Sequence, residues 1–234
     1  MYRKKTPVSQ LPDKNEFTVY NPNKKTCNEC MEMWPEIVNI ISIDPGIRNL
    51  VVRVESRGIN IDMPIKTIVF EKLHISEETR KLDGNIDNLY LYITDFLDRY
   101  LNIFKNCQIL IIERQLSINY RAVRISQHIL TYFLMHFKNN ETGSLIYEID
   151  SKLKGRELGA PKNLNERGLK LWAVEECKRI FDKRKDMLGL QILHANKKKA
   201  DDHSDTVIQI EAFFSFNGWK LTPTPINIIL QQKI

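Results

Sequence analysis

The chain has 234 residues, 42% of them hydrophobic and 27% charged, the proportions of a globular domain with a sizeable core and at most a small appendage. The formal net charge is +6, which suggests a polyanionic partner. No apolar run approaches the ~18 residues of a membrane span, and none follows Met1-Tyr2-Arg3-Lys4-Lys5, so neither a membrane anchor nor a secretory leader is expected.

Residues 1–36 hold four of the nine prolines and no glycine, without sustained periodicity. They are expected to form an extended or partly disordered arm, from which Val8 to Tyr20 could still supply a short strand. Cys27-Asn28-Glu29-Cys30 has the spacing of half a zinc site. A closed site needs four ligands, and no second Cys or His pair follows, so no intramolecular zinc site is expected. Cys107 abuts an apolar run and Cys177 falls in a helical pattern, as buried thiols do. A reduced, intracellular protein fits this usage.

The domain proper is expected over residues 37–217. Ile37 to Ile43 is an apolar run ending at Asp44-Pro45-Gly46, a buried strand followed by a turn. Leu50 to Glu55 and Thr67 to Leu73 are β-rich, and with the first run they form an antiparallel meander. Asp87 to Phe104 has apolar residues at helical spacing. Gln108 to Ile112 is a further strand, ending at Glu113. Arg121 to Phe137 reads as a helix and Leu145 to Ile149 as a fifth strand. Ser151 to Asn163, with Gly155, Gly159 and Pro161, reads as a basic loop. Helices are expected over 164–185 and 201–216, before a C-terminal tail over 218–234. The order predicts an α/β fold: a five-stranded mixed sheet flanked by helices.

Charge is concentrated between Lys152 and Lys199, where 14 Lys and Arg face 6 Asp and Glu. Such a block beside a balanced remainder has the character of a nucleic-acid footprint. Solvated helix faces would have the same composition.

Four carboxylates occupy places where metal-dependent phosphodiester chemistry needs them. Asp44 and Glu113 end strands. Asp202 and Asp205, at i and i+3, share one face near the start of the last helix. Two Mg²⁺ ions about 3.5–4 Å apart can stabilise both the attacking and the leaving oxygen, and Mg²⁺ takes hard oxygen ligands. Clustered carboxylates without a cation repel one another. Taken singly, each acid also has a structural explanation as a turn former, an ion-pair partner or a helix-cap residue.

Three motifs then match a family. Ile43-Asp44-Pro45-Gly46-Ile47-Arg48-Asn49 resembles the first strand and turn of the RuvC-like Holliday junction resolvases. Its Asp-x-Gly-x-x-Asn form is similar to the branch found in poxviruses, other large DNA viruses and fungal mitochondria. Ile112-Glu113-Arg114-Gln115 resembles the end of the family's fourth strand. Lys198-Lys199-Ala200-Asp201-Asp202-His203-Ser204-Asp205 resembles the start of its last helix. The match runs in order from about Ile37 to Phe216.

The resemblance implies a ribonuclease H-like nuclease domain and a homodimer that nicks four-way junctions symmetrically. It implies two Mg²⁺ per site, with Mn²⁺ as a substitute, and no small-molecule cofactor. Asp44, Glu113, Asp202 and Asp205 become catalytic metal ligands. Water becomes the nucleophile, leaving a 5′-phosphate and a 3′-hydroxyl. Gln115, Lys198 and Lys199 would lie near DNA, and Asn49 would support the turn. Lys152, Lys154, Arg156 and Lys162 on the basic loop would grip phosphates, although a merely solvated loop fits the same residues. The site of action would be intracellular and, for a viral protein, where viral DNA replicates. Ala200 departs from the family pattern and leaves open whether Asp201 replaces Asp202. His203 is expected to have a non-catalytic surface role.

Three rivals remain. An ATP-handling protein of the actin and sugar-kinase class would need a second strand-loop and a second domain. Another ribonuclease H-like nuclease, of the RNA:DNA-hybrid or transposase type, would share the carboxylates. A DNA-binding module without catalysis would tolerate their replacement.

Overall fold

The apolar run that begins at Ile37 becomes a central strand of the sheet, buried on both faces, as its near-continuous hydrophobicity requires. The computed structural model describes residues 17–20, 27–58, 64–75, 86–140, 143–196 and 200–217. Its elements are β1 (Phe17–Tyr20), α1 (Cys27–Met33), β2 (Ile37–Pro45), β3 (Asn49–Gly58), β4 (Lys66–His74), α2 (Ile86–Asp98), α3 (Leu101–Phe104), β5 (Ile109–Glu113), α4 (Tyr120–Phe137), β6 (Leu145–Ile149), α5 (Lys152–Leu158), α6 (Glu166–Arg184), α7 (Met187–Ala195) and α8 (Ala200–Phe216).

The strand order is β1-β6-β5-β2-β3-β4. β2, β3 and β4 form the expected antiparallel meander, and β5 and β6 run parallel to β2. Side chains alternate between two cores because successive residues of a strand point to opposite faces. Ile41, Ile43, Val52, Leu110 and Ile112 pack with Ile93 of α2 and with Ile129 and Phe133 of α4. On the other face, Val38, Ile40, Ile109 and Ile111 pack with Ile210 and Phe213 of α8. Val51 and Phe70 meet α6 and α7 through Cys177, Phe181 and Leu193. Burying each such side chain contributes about 1.5–3 kcal/mol.

The structure differs from the sequence expectations at several points, among them α7, a helix over Met187–Ala195 where no element was expected. Within the span Val8 to Tyr20 that could supply a short strand, Phe17–Tyr20 forms one, β1, which adds a sixth strand to the five expected and pairs antiparallel with β6 from Phe17↔Ile149 to Tyr20↔Ile146. Four residues beside a polar run are too short to show a period. The arm also contributes α1, whose Cys30 is buried together with Trp34; the Trp34 indole donates to the Gly143 carbonyl at 3.0 Å. The helix expected over 87–104 breaks at Arg99 and Tyr100 into α2 and α3. Lys152–Leu158 is a helix, α5, and not a loop. Its glycines mislead because Gly159 lies just past its end, at φ 76°, where a left-handed residue closes a helix. Residues 218–234, the expected tail, lie outside the described residues.

β3 carries charge into the interior. Arg53, Glu55 and Arg57 are fully buried on the face covered by α6 and α8. Arg53 Nε donates to Glu55 Oε2 at 2.9 Å, and its guanidinium lies 3.5 Å from Asp186 and stacks over Phe70. Arg57 contacts both Glu55 and Glu211, and Arg184 lies 3.5 Å from Glu55. Burial alone would raise the Glu55 pKa; Arg57, Arg184 and Arg53 outweigh it and hold it at about 2.

Candidate active site

Strand register brings the first two acids together. β2 and β5 are parallel neighbours with Ile43 opposite Ile112, so the next residues, Asp44 and Glu113, emerge side by side at their carboxyl ends. By alternation Asp44 shares a face with Ile40, and Glu113 with Ile109 and Ile111, the face that α8 covers. Asp202 and Asp205 lie on the first turns of α8. One turn after Asp205, the fully buried amide of Gln209 donates to the carbonyls of Ile111 at 3.1 Å and Ile43 at 3.4 Å. The helix bearing two acids is therefore tied to the backbones of the two strands bearing the others.

The Asp-x-Gly-x-x-Asn turn has a physical reason for each polar or small position. The Gly46 N–H donates to the Asp44 carbonyl at 3.2 Å. A Cβ on Gly46 would stand 2.4 Å from the Asn49 carbonyl oxygen, so a side chain cannot be admitted there. Asn49 Nδ2 donates to Asp202 Oδ2 at 2.7 Å, and its Oδ1 meets His74 Nδ1 at 3.0 Å. Lys72 Nζ lies 3.8 Å from the same Asp202 oxygen. Asn49 thus supports more than the turn: it fixes one acid of α8 against the first strand pair.

Lys154 holds a place that sequence reasoning did not assign to it. It was expected on a DNA-gripping loop. It instead points inward from α5, buried, with Nζ donating to Glu113 Oε2 at 2.5 Å and Asp205 Oδ1 at 2.7 Å. Burial by itself would lower its pKa, but Asp205, Glu113 and Asp44 raise it and keep it an ammonium. Asp44 shows the opposite effect. Burial first, then Glu113, Asp205 and Asp202, raise its pKa well above the usual carboxylate range, and Lys154 offsets only part of this. The three other predicted carboxylates therefore all act electrostatically on Asp44.

This donor set suits a hard divalent cation. It consists of carboxylate oxygens, and after burial it is Glu113, Asp205 and Asp202 that press the Asp44 pKa upward, with Lys154 acting against them. Among the described residues, no three His, Cys, Asp or Glu side chains already surround one point as a bound metal requires. Lys154 stands between Glu113 and Asp205 in this arrangement.

The other predicted residues fall into three groups. Gln115 is half-buried beside the strand end, its Nε2 donating to the Glu113 carbonyl at 3.3 Å. Lys152, Arg156 and Lys162 line, with Lys154 and Asp205, a cleft of about 830 Å³ between α5 and α6. Lys198 and Lys199 lie outside the described residues. Of the adjacent aspartates, Asp201 turns towards Lys170 at 3.7 Å, and only Asp202 meets Asn49. His203 is not at the surface as expected: it is 2% exposed, with its ring packed edge-on against Phe70 at 4.9 Å. Gln209 was missed altogether. Its signal is an uncharged polar residue, four after Asp205, in the stretch Val207 to Phe214, which is apolar apart from Gln209 and Glu211.

No family model matches the chain. A protein of Invertebrate iridescent virus 3, uncharacterized protein 97L, is 27% identical over 152 residues, covering 63% of this chain and 67% of that one. The yeast mitochondrial Holliday junction resolvase Ydc2 superposes with a TM-score of 0.55 at 14% identity, over 82% of this chain and 88% of its own. The fowlpox virus resolvase, solved with substrate Holliday junction DNA, gives a TM-score of 0.48 at 17% identity over 75% of this chain and 95% of its own. The chain has the ribonuclease H-like fold of the RuvC-type Holliday junction resolvases.

Proposed function

We propose that the protein is a metal-dependent endonuclease that resolves four-way DNA junctions by paired symmetric nicks, acting as a homodimer inside the cell. One observation carries the reading: Glu113, Asp205 and Asp202 all act electrostatically on Asp44, and Asp205 lines a cleft rimmed by lysine and arginine. The fold shared with Ydc2, a Holliday junction resolvase, supports the choice of substrate.

On this reading the four carboxylates hold two divalent cations, Mg²⁺ or Mn²⁺. When bound, these supply charge neutralisation at the scissile phosphate and acidify the attacking water. The chain's own residues do the rest. Asn49 and Lys72 orient Asp202. Gln209 holds α8 against the strand ends. Lys154 brings an ammonium to Glu113 and Asp205, where it can stabilise negative charge that develops on a phosphate oxygen. Lys152, Arg156 and Lys162 contact the sugar-phosphate backbone, which positions a substrate recognised by shape. Water attacks phosphorus and the P–O3′ bond breaks, leaving a 5′-phosphate and a 3′-hydroxyl.

A panel of labelled substrates tests this: a four-way junction, a matched linear duplex and an RNA:DNA hybrid, each with Mg²⁺ and with EDTA. Symmetric junction nicking that needs metal is expected. Cleavage of the hybrid or duplex in preference to the junction would move the protein to another class of ribonuclease H-like nuclease. Tight junction binding without cleavage in any metal would leave a binding module.

A further inference from the structure

The cleft between α5 and α6 has two different walls. Lys152, Arg156 and Lys162 give it a cationic rim, whereas Pro161, Leu164, Leu169 and Trp172 give it an apolar side. A sugar-phosphate backbone satisfies the rim but has nothing to set against an indole and two leucines. The volume, about 830 Å³, falls within the ~300–1,000 Å³ of small-ligand pockets. Asp205 lines the same cleft, so a phosphate bound beside Asp205 would adjoin it.

We propose that this cleft is a nucleotide subsite: one unpaired, unstacked nucleobase of the DNA, adjacent to the scissile phosphate, enters it and lies against Trp172. The proposal rests on the resolvase reading and adds to it. Bases inside a continuous duplex are stacked and cannot enter. At a crossover the stack is interrupted, so a base can leave it at low cost, as for mismatched or single-stranded bases. Aromatic side chains take up such bases through stacking that tolerates any sequence. Lys152 and Lys162, both exposed at the rim, would hold the flanking phosphates. The subsite would select for junctions over linear duplex, because only a branched substrate offers a base beside the cleaved bond.

The test uses the full chain and four-way junctions carrying 5-iodouracil at successive positions within three nucleotides of the crossover. Complexes are formed with Ca²⁺, irradiated, and mapped by mass spectrometry, with junction binding followed in parallel. Crosslinking to Trp172 from one position is expected, and none from the matched duplex. Leu169→Glu, at a partly exposed wall position, should lower that crosslink roughly ten-fold while leaving Trp172 and the fold in place. Junction binding with no Trp172 crosslink from any position, or with crosslinks only outside the cleft, overturns the subsite alone. Failure to bind the junction overturns the resolvase reading and the subsite with it.

Discussion

Lys154 Nζ lies 2.7 Å from Asp205 Oδ1, an ion pair that joins α5 to α8 across the centre of the carboxylate cluster. The same ammonium reaches Glu113 at 2.5 Å. In the metal-free protein Lys154 is thus the cation that keeps Glu113 and Asp205 together, and a divalent cation would compete with it for both.

Lys154→Met should act in two directions. Removing one partner of a largely buried pair leaves uncompensated charge, so the metal-free protein should lose about 3 kcal/mol. Mg²⁺ should restore more stability to the variant than to the wild type, because no ammonium contests the ligands. Thermal unfolding across a Mg²⁺ titration measures both effects. Junction cleavage at saturating Mg²⁺ should fall by about 10²–10³, the usual loss when a buried electrostatic stabiliser is removed. Equal metal responses in variant and wild type would contradict the competition.

Asp44 gives a pH signature. Its folded pKa is raised, by burial and then by Glu113, Asp205 and Asp202. A carboxyl raised in the folded state binds its proton more tightly there than in the unfolded chain. Metal-free stability should therefore fall as pH rises from the ordinary carboxylate range to the higher value of Asp44. Asp44→Asn should remove that fall and raise the Tm in EDTA at neutral pH, while abolishing cleavage. Calorimetry in EDTA between pH 4 and 8 decides it; a variant less stable than wild type at neutral pH would count against charge crowding at this position.

Glu55 predicts the opposite slope. Its folded pKa is about 2, so its contribution is complete above the ordinary carboxylate range and is lost as pH falls towards 2. Glu55→Gln leaves Arg53, Arg57 and Arg184 without their shared carboxylate and should destabilise by about 3–5 kcal/mol at neutral pH. Urea unfolding at pH 7 and pH 3 should show the variant's deficit shrinking in acid. A deficit that does not depend on pH would mean that Glu55 is not ionised in the fold.

Gln209→Leu removes the amide that ties α8 to Ile43 and Ile111. Two buried carbonyls lose a donor, a change of about 1–2 kcal/mol. The more telling readout is the Mg²⁺ concentration for half-maximal cleavage, expected to rise several-fold as the two acid pairs lose their fixed spacing. A Tm change with an unaltered Mg²⁺ requirement would confine Gln209 to a structural role.

Much of the site was legible because its residues sit at ends. Asp44 and Glu113 close apolar strands, and strand ends can be read from periodicity alone. Asp202 and Asp205 follow from i, i+3 spacing on a helix. Direction at single positions was not legible. Lys154 sits among residues that resemble a glycine-rich loop, but they form α5, from which Lys154 reaches inward to Glu113 and Asp205. His203 lies between two acids, but the packing of α8 on Phe70 buries it. Alternation along β3 places Arg53, Glu55 and Arg57 on one face, although the strand expected from the sequence ended at Glu55. It could not show that α6 and α8 cover that face, because a period of two marks sides and says nothing of what lies against them.

The most direct measurement is cleavage of a four-way junction in Mg²⁺ by the wild type beside Asp44→Asn and Asp205→Asn, with junction binding measured in Ca²⁺ for all three proteins. Metal-dependent nicking by the wild type, lost in both variants while both still bind the junction, is the predicted result. Undiminished nicking by either variant would contradict the assignment of the chemistry to this carboxylate cluster.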